Sequence, residues 1–124
     1  MSDDVDRPGA LVGEVSPEDA KLVTLARATR ARTGAAEGAA VRDLDGRTYA
    51  AASTRLTHLR LSALEVCVAM AISSGASGLE AAVVLTDAED VDTRAAGEFA
   101  GAGVLVLVGD VAGRLHTRSG TPER

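Results

Sequence analysis

Two short runs, 80–86 (EAAVVLT) and 104–108 (VLVLV), are apolar on consecutive residues rather than on alternate ones. Side chains of a strand point alternately to the two faces of its sheet, so a strand that is apolar throughout needs cover on both faces. This excludes a sheet with one wet face and calls for helices on either side. Three segments of the chain have helical patterning and can supply that cover.

The first helix is announced by Ser16-Pro17-Glu18-Asp19: a capping hydroxyl, a proline suited to the first turn, and two acids at the positive end of the dipole. Leu22, Leu25, Ala26 and Thr29 then recur on one face. Arg27, Arg30 and Arg32 crowd the last turns before Gly34 stops the helix. Segments 38–44 and 47–53 flank Asp45-Gly46, a hairpin signal, and a polar connection over 53–60 follows. Ser62 and Glu65 have capping-box spacing and open a helix over 62–74. It is apolar all round, which implies a central helix buried on every side, with Cys67 inside it. The acidic stretch 87–92 (DAEDVD) leads to a short helix over 93–101, and 114–118 reads as a returning edge strand.

The order α-β-β-α-β-α-β, with that edge strand, gives an α/β domain: a mixed sheet of about five strands between helical layers. Residues 1–15 read as a mobile N-terminal tail, 16–118 as the domain and 119–124 as a C-terminal tail. Tyr49 and Phe99 are the only aromatic residues. The layers must therefore be thin, built from Ala, Val, Leu and Ile. Heavy Ala, Gly and Arg usage, with Lys21 the single lysine, implies a GC-rich bacterial coding bias.

A net charge of −5, without a basic stripe or arginines interleaved with aromatics, argues against nucleic-acid binding. A lone cysteine excludes a disulfide framework and an all-cysteine metal site. The N-terminus has no apolar leader segment, and the longest apolar run, 66–72, is too short to span a bilayer. A cytoplasmic chain without membrane partners is expected.

The order of elements resembles that of the cytidine deaminase family, and residues support the likeness over about 17–118. The family's stretch P-Y-S-x-F-x-V-G-A-A falls on ARTGAAEGAA at 31–40, and its D-G hairpin falls on Asp45-Gly46. Tyr49 matches a tyrosine common in the second strand, and Glu98-Phe99 a common E-F in the late helix. The resemblance implies a cytidine-deaminase-like three-layer α-β-α sandwich.

The chain departs from the family where the family does chemistry. The phenylalanine of the first stretch falls on Ala35, and the N-x-E that holds the ribose falls on Ser53-Thr54-Arg55. The zinc motif C-A-E falls on Ser62-Ala63-Leu64, and P-C-x-x-C on Ala88-Glu89-Asp90-Val91-Asp92. No shift of frame restores Cys or His followed two residues later by Glu: Cys67, His58 and His116 all lack it. In the family a zinc-bound hydroxide attacks the base while the glutamate moves protons. Zinc lowers the pKa of water from about 15.7 to about 7, so losing it forfeits on the order of 12 kcal/mol in preparing the nucleophile.

Ser62, Leu64, Glu89 and Asp92 are thus the degenerate catalytic equivalents, and Ala35, Ser53 and Arg55 the degenerate substrate-binding ones. No zinc or other cofactor is expected. Glu89 and Asp92, with Ser62, form a candidate oxygen-ligand set for Mg²⁺ or Mn²⁺, against the plainer reading of a solvated acidic loop. Cys67 is read as a small buried hydrophobe rather than a nucleophile. His58 is read as a solvated loop residue rather than a base, and Gly101-Ala102-Gly103 and Gly34…Gly38 as turns rather than phosphate loops. Three readings of function follow: a catalytically silent member kept for interaction, assembly or regulation; a divergent deaminase or hydrolase; and a nucleoside-binding module without catalysis. Since family members pack around their central helices, a homo-oligomer, dimer or tetramer, is expected.

Overall fold

The computed structural model describes residues 13–124; the tail expected over 1–15 therefore lies largely outside the described residues. Helix α1 spans Pro17–Thr33. The Ser16 hydroxyl accepts from the Asp19 N–H at 3.1 Å, and Gly34 ends the helix in the left-handed conformation that glycine adopts most readily. Strands β1 (Gly38–Asp43) and β2 (Thr48–Ala52) form the hairpin around Asp45-Gly46. The carboxylate of Asp43 fixes that turn: Oδ1 accepts from the Asp45 and Arg47 N–H groups and Oδ2 from the Tyr49 hydroxyl at 2.7 Å. Burial alone would raise the Asp43 pKa, but the bonds from Tyr49 and the two backbone N–H groups outweigh it and hold the carboxyl below its ordinary range.

The chain then departs from the polar connection expected over 53–60. It forms a small antiparallel ribbon, β3 (Thr54–Arg55) with β4 (Arg60–Leu61), closed by the Leu56 N–H donating to the Leu59 carbonyl. Helix α2 (Ala63–Ser73) follows, then β5 (Leu79–Leu85), α3 (Arg94–Ala100), β6 (Leu105–Gly109) and β7 (Leu115–Gly120). The five-stranded sheet has the order β2-β1-β5-β6-β7 and is mixed: β5 and β6 run parallel, and the other pairs are antiparallel.

Alternation along the central strands sorts the apolar residues onto two faces. Ala40, Ala81, Val83, Leu85 and Leu107 meet Leu22 and Ala26 of α1 on one side. Ala39, Val41, Ala82, Val84, Val106 and Val108 meet Leu64, Cys67, Val68 and Ala71 of α2 and Ala96 of α3 on the other. The three layers of the expected α-β-α sandwich are therefore present, and the consecutive apolar residues of β5 and β6 are explained by cover on both faces. Small residues let the layers close tightly. At Gly38 the backbone of α1 lies so near that a Cβ would stand 2.3 Å from the Ala26 carbonyl oxygen.

Two further expectations are corrected. Helix α2 is not buried on every side: Ala63, Leu64, Cys67, Val68 and Ala71 face the sheet, whereas Met70 and Ile72 are 37% and 53% exposed. A helix laid on one sheet face buries only one stripe, so an all-round apolar sequence leaves its outer stripe uncovered within a single chain. Cys67 does lie on the inner stripe; it is fully buried, and burial pushes its thiol up to about 12. The C-terminal tail expected from 119 is, at its start, part of the sheet. Strand β7 continues to Gly120, and Thr121 is buried, its hydroxyl accepting from the Val104 N–H and donating to the Gly101 carbonyl.

Candidate functional site

One end of the sheet carries an open cleft of about 1080 Å³. Four pieces of chain meet there: the end of α1 with Arg30, the connection Ala35–Glu37, the end of β2 with the β3–β4 ribbon, and the exit of β5 at Thr86–Ala88. Ser62, at the N-terminus of α2, lies between them.

The fold thus brings together several residues singled out by sequence. Ala35, Ser53, Arg55 and Ser62 all line the cleft, as does Ala88. Leu64 does not: it is 1% exposed and belongs to the apolar core under the sheet. Glu89 and Asp92 are exposed and lie outside the cleft lining. Asp92 is engaged by Arg94, whose guanidinium lies 2.8 Å away and, with the Arg94 backbone N–H, pulls the carboxyl down to about 2. His58 sits exposed in the turn of the ribbon.

The N-terminus of α2 is closed by the chain's own groups. The Ser62 hydroxyl accepts from the Glu65 N–H at 3.0 Å, and Glu65 Oε1 accepts from the Ser62 N–H at 2.8 Å, a complete capping box. A second carboxylate arrives from Glu37. Its Oε1 accepts from the Ala63 N–H at 3.2 Å and its Oε2 from the Thr86 hydroxyl at 3.0 Å. The Thr86 hydroxyl in turn accepts from the Ala88 N–H at 3.1 Å. Glu37 is held in place by its backbone, whose N–H donates to the Ser53 hydroxyl and whose carbonyl accepts from the Ser53 N–H, both at 3.1 Å. A carboxylate at a helix N-terminus meets both unpaired N–H groups and the positive end of the dipole. Glu37 therefore ties the start of α2 to the end of β5.

Sequence reasoning misses Glu37, although a signal is present: in P-Y-S-x-F-x-V-G-A-A it stands where the valine belongs. A carboxylate in an apolar position next to a strand that packs on α1 needs a polar partner inward.

Ser62, Ala88, Glu89 and Asp92 do not fit a zinc ion. The Ser62 oxygen already accepts the Glu65 N–H as the helix cap, and the Asp92 carboxylate is paired with Arg94. Among the described residues, no three His, Cys, Asp or Glu side chains are grouped so as to hold a metal. The single cysteine is buried inside α2, its thiol directed to the Tyr49 carbonyl at 3.6 Å.

The family model for cytidine deaminase-like proteins matches residues 15–113. Among solved structures, cytidine deaminase from Mycobacterium leprae is similar at 19% identity and a TM-score of 0.61, covering 72% of this chain and 86% of that one. Cytidine deaminase from Burkholderia pseudomallei gives 17% identity and a TM-score of 0.62, covering 83% and 91%. A mutant cytidine deaminase from Mycobacterium tuberculosis gives 21% and 0.60, covering 77% and 85%. No curated protein matches the sequence. The matched segment runs from the start of α1 past β6 and takes in every wall of the cleft. By that match and by its fold, this chain belongs to the cytidine deaminase-like family.

Proposed function

We propose that this protein is a catalytically silent cytidine deaminase-like protein whose role is interaction, assembly or regulation rather than turnover. One observation carries the reading: the N-terminus of α2, where the family motif places a zinc ligand, is capped by Ser62 and occupied by the Glu37 carboxylate. Two residues on, the position of the proton-moving glutamate is Leu64, packed in the apolar core. Of the two carboxylates in the cleft lining, Glu37 already accepts from Ala63 and Thr86, and Asp87 is exposed. Purified protein assayed with cytidine and deoxycytidine is expected to give no turnover above background. Chelator-sensitive deamination of either would refute the silent reading.

A divergent hydrolase built on oxygen ligands has less support, because Glu89 and Asp92 stand outside the cleft and Asp92 is paired with Arg94. The cleft itself favours a second reading, a binding module that holds a nucleoside-like ligand without reacting.

The exposed apolar stripe of α2 supports self-association. Met70 and Ile72 lie uncovered at its two margins with the exposed Ala69 between them, and Leu56 and Leu59 are exposed on the separate β3–β4 ribbon. Exposed apolar side chains on an otherwise packed helix suit an interface, and identical chains most often associate by symmetric pairing. Light scattering at micromolar concentration is expected to give a mass of at least twice 12.6 kDa. A monomer mass would count against assembly through this stripe. A cytoplasmic location is part of the proposal. No helix among the described residues is long and apolar enough to cross a membrane.

A further inference from the structure

The ribbon places two arginines directly opposite each other: Arg55 of β3 pairs in register with Arg60 of β4. Like charges across an antiparallel pair repel, so this ribbon is built against its own stability. Neither arginine, nor Arg30 across the cleft, pairs with a carboxylate among the described residues. Instead Arg30 and Arg60 each give Nε to a backbone carbonyl, of Ala35 at 2.9 Å and Leu56 at 3.1 Å. Such a bond orients a guanidinium while leaving its terminal N–H groups to donate elsewhere.

The hydroxyls of the cleft have the same bias. The oxygens of Ser53, Thr54 and Ser62 each accept a backbone N–H, from Glu37, Leu61 and Glu65. Each hydroxyl therefore still has a proton to donate. Of the two carboxylates in the lining, Glu37 has both oxygens engaged, and Asp87 is exposed at the rim. The cleft is rich in unspent donors and poor in free acceptors, in a chain whose net charge is −5. Three guanidinium groups beside three hydroxyls match the terminal oxygens of a phosphate better than the singly charged carboxylate of a metabolite.

We propose that the cleft binds the phosphate group of a small phosphorylated molecule, clamped between Arg55 and Arg60 of the ribbon and Arg30 of α1. The reversal from acid to cation at Arg55 then has a direct sense: a position that in the family meets ribose hydroxyls here meets an anion. The inference rests on the silent-binding reading, since it needs a cleft that holds its ligand without reacting.

The test is thermal unfolding of the full chain with inorganic phosphate, ribose 5-phosphate, cytidine 5′-monophosphate and cytidine. A saturable rise in Tm is expected with the phosphorylated probes and none with cytidine. A response to inorganic phosphate equal to that of both esters assigns the site to free phosphate; a larger response to an ester assigns it to that phosphorylated molecule. Either outcome supports the anion clamp. The rise should shrink as sodium chloride goes from about 0.05 to about 0.5 M. Arg55→Ala or Arg60→Ala should weaken the midpoint of the phosphate response by about tenfold or more. Arg60→Glu provides a folded control: it pairs with Arg55 across the ribbon, so the ligand-free Tm should hold or rise while the phosphate response disappears. The proposal is overturned if no phosphate-bearing probe moves Tm, if cytidine acts as strongly as its monophosphate, or if Arg60→Glu responds like the parent. Deamination of cytidine in the same samples would refute the silent reading separately, leaving the arginine variants to decide the clamp.

Discussion

Gly38→Ala is expected to lower stability by about 2–4 kcal/mol, enough to move the denaturant midpoint of a domain this size well outside error. Gly38 opens β1 at the point where α1 crosses it. An added Cβ would stand 2.3 Å from the Ala26 carbonyl oxygen and 2.6 Å from the Arg30 Cβ. The first of these is backbone, so no rotamer change relieves it, and α1 must lift from the sheet. Leu22 and Ala26, fully buried on that face, would then lose contacts with Ala40, Val83 and Leu85. Because Arg30 and the Ala35–Glu37 connection lie on the same side, the cleft should loosen as well. A denaturation curve superimposable on that of the parent would contradict this packing.

Leu64→Glu is expected to cost about 3–5 kcal/mol, even though it restores the residue the family motif places there. In a zinc enzyme such a glutamate faces a metal-bound water that gives its charge a partner. Here the side chain of Leu64 is 1% exposed and packs in the core shared by α2 and the sheet. The new carboxylate would find no cation: Arg30, Arg55 and Arg60 line the cleft, which Leu64 does not reach. Either the residue ionises and unpacks α2, or it stays protonated at the expense of a raised pKa. The linkage sign follows: folded-state pKa above the unfolded value, so stability falls further as pH rises through the unfolded carboxyl range. Thermal unfolding at acidic and neutral pH measures both parts. A variant as stable as the parent at neutral pH would mean that the site still offers a carboxylate partner, and with it a working remnant of the family chemistry.

Much of the fold is legible in the sequence because its signals are local or periodic. Ser16 and Pro17 mark the start of α1, Asp45-Gly46 the hairpin that follows it, and Ser62 with Glu65 the start of α2. The consecutive apolar residues of β5 and β6 require cover on two faces, which only a layered α/β arrangement provides. The cleft is partly legible too: Ala35, Ser53, Arg55 and Ser62, placed by matching the family pattern, do converge on it.

What stays hidden depends on contacts between distant residues. Glu37 acquires its role from Ala63 and Thr86, 26 and 49 positions away, and no periodicity reports such a bond. The ribbon consists of two-residue strands, too short for alternation to show, and only the pairing of Thr54 with Leu61 and Arg55 with Arg60 makes it one. The outer stripe of α2 reads as buried because its composition matches the inner one. Whether Met70 and Ile72 are covered is decided by neighbours, and within one chain α2 has the sheet on one side only.

We propose that the start of α2 no longer serves as a metal site. Ser62 is a helix cap, Glu37 a carboxylate bound by Ala63 and Thr86, Asp92 the partner of Arg94, and Cys67 a buried thiol pointing away. The direct measurement is elemental analysis of protein purified without chelator and then dialysed against zinc-containing buffer followed by metal-free buffer. Zinc is expected well below stoichiometric in every sample. About one zinc per chain, surviving the final dialysis, would contradict the account.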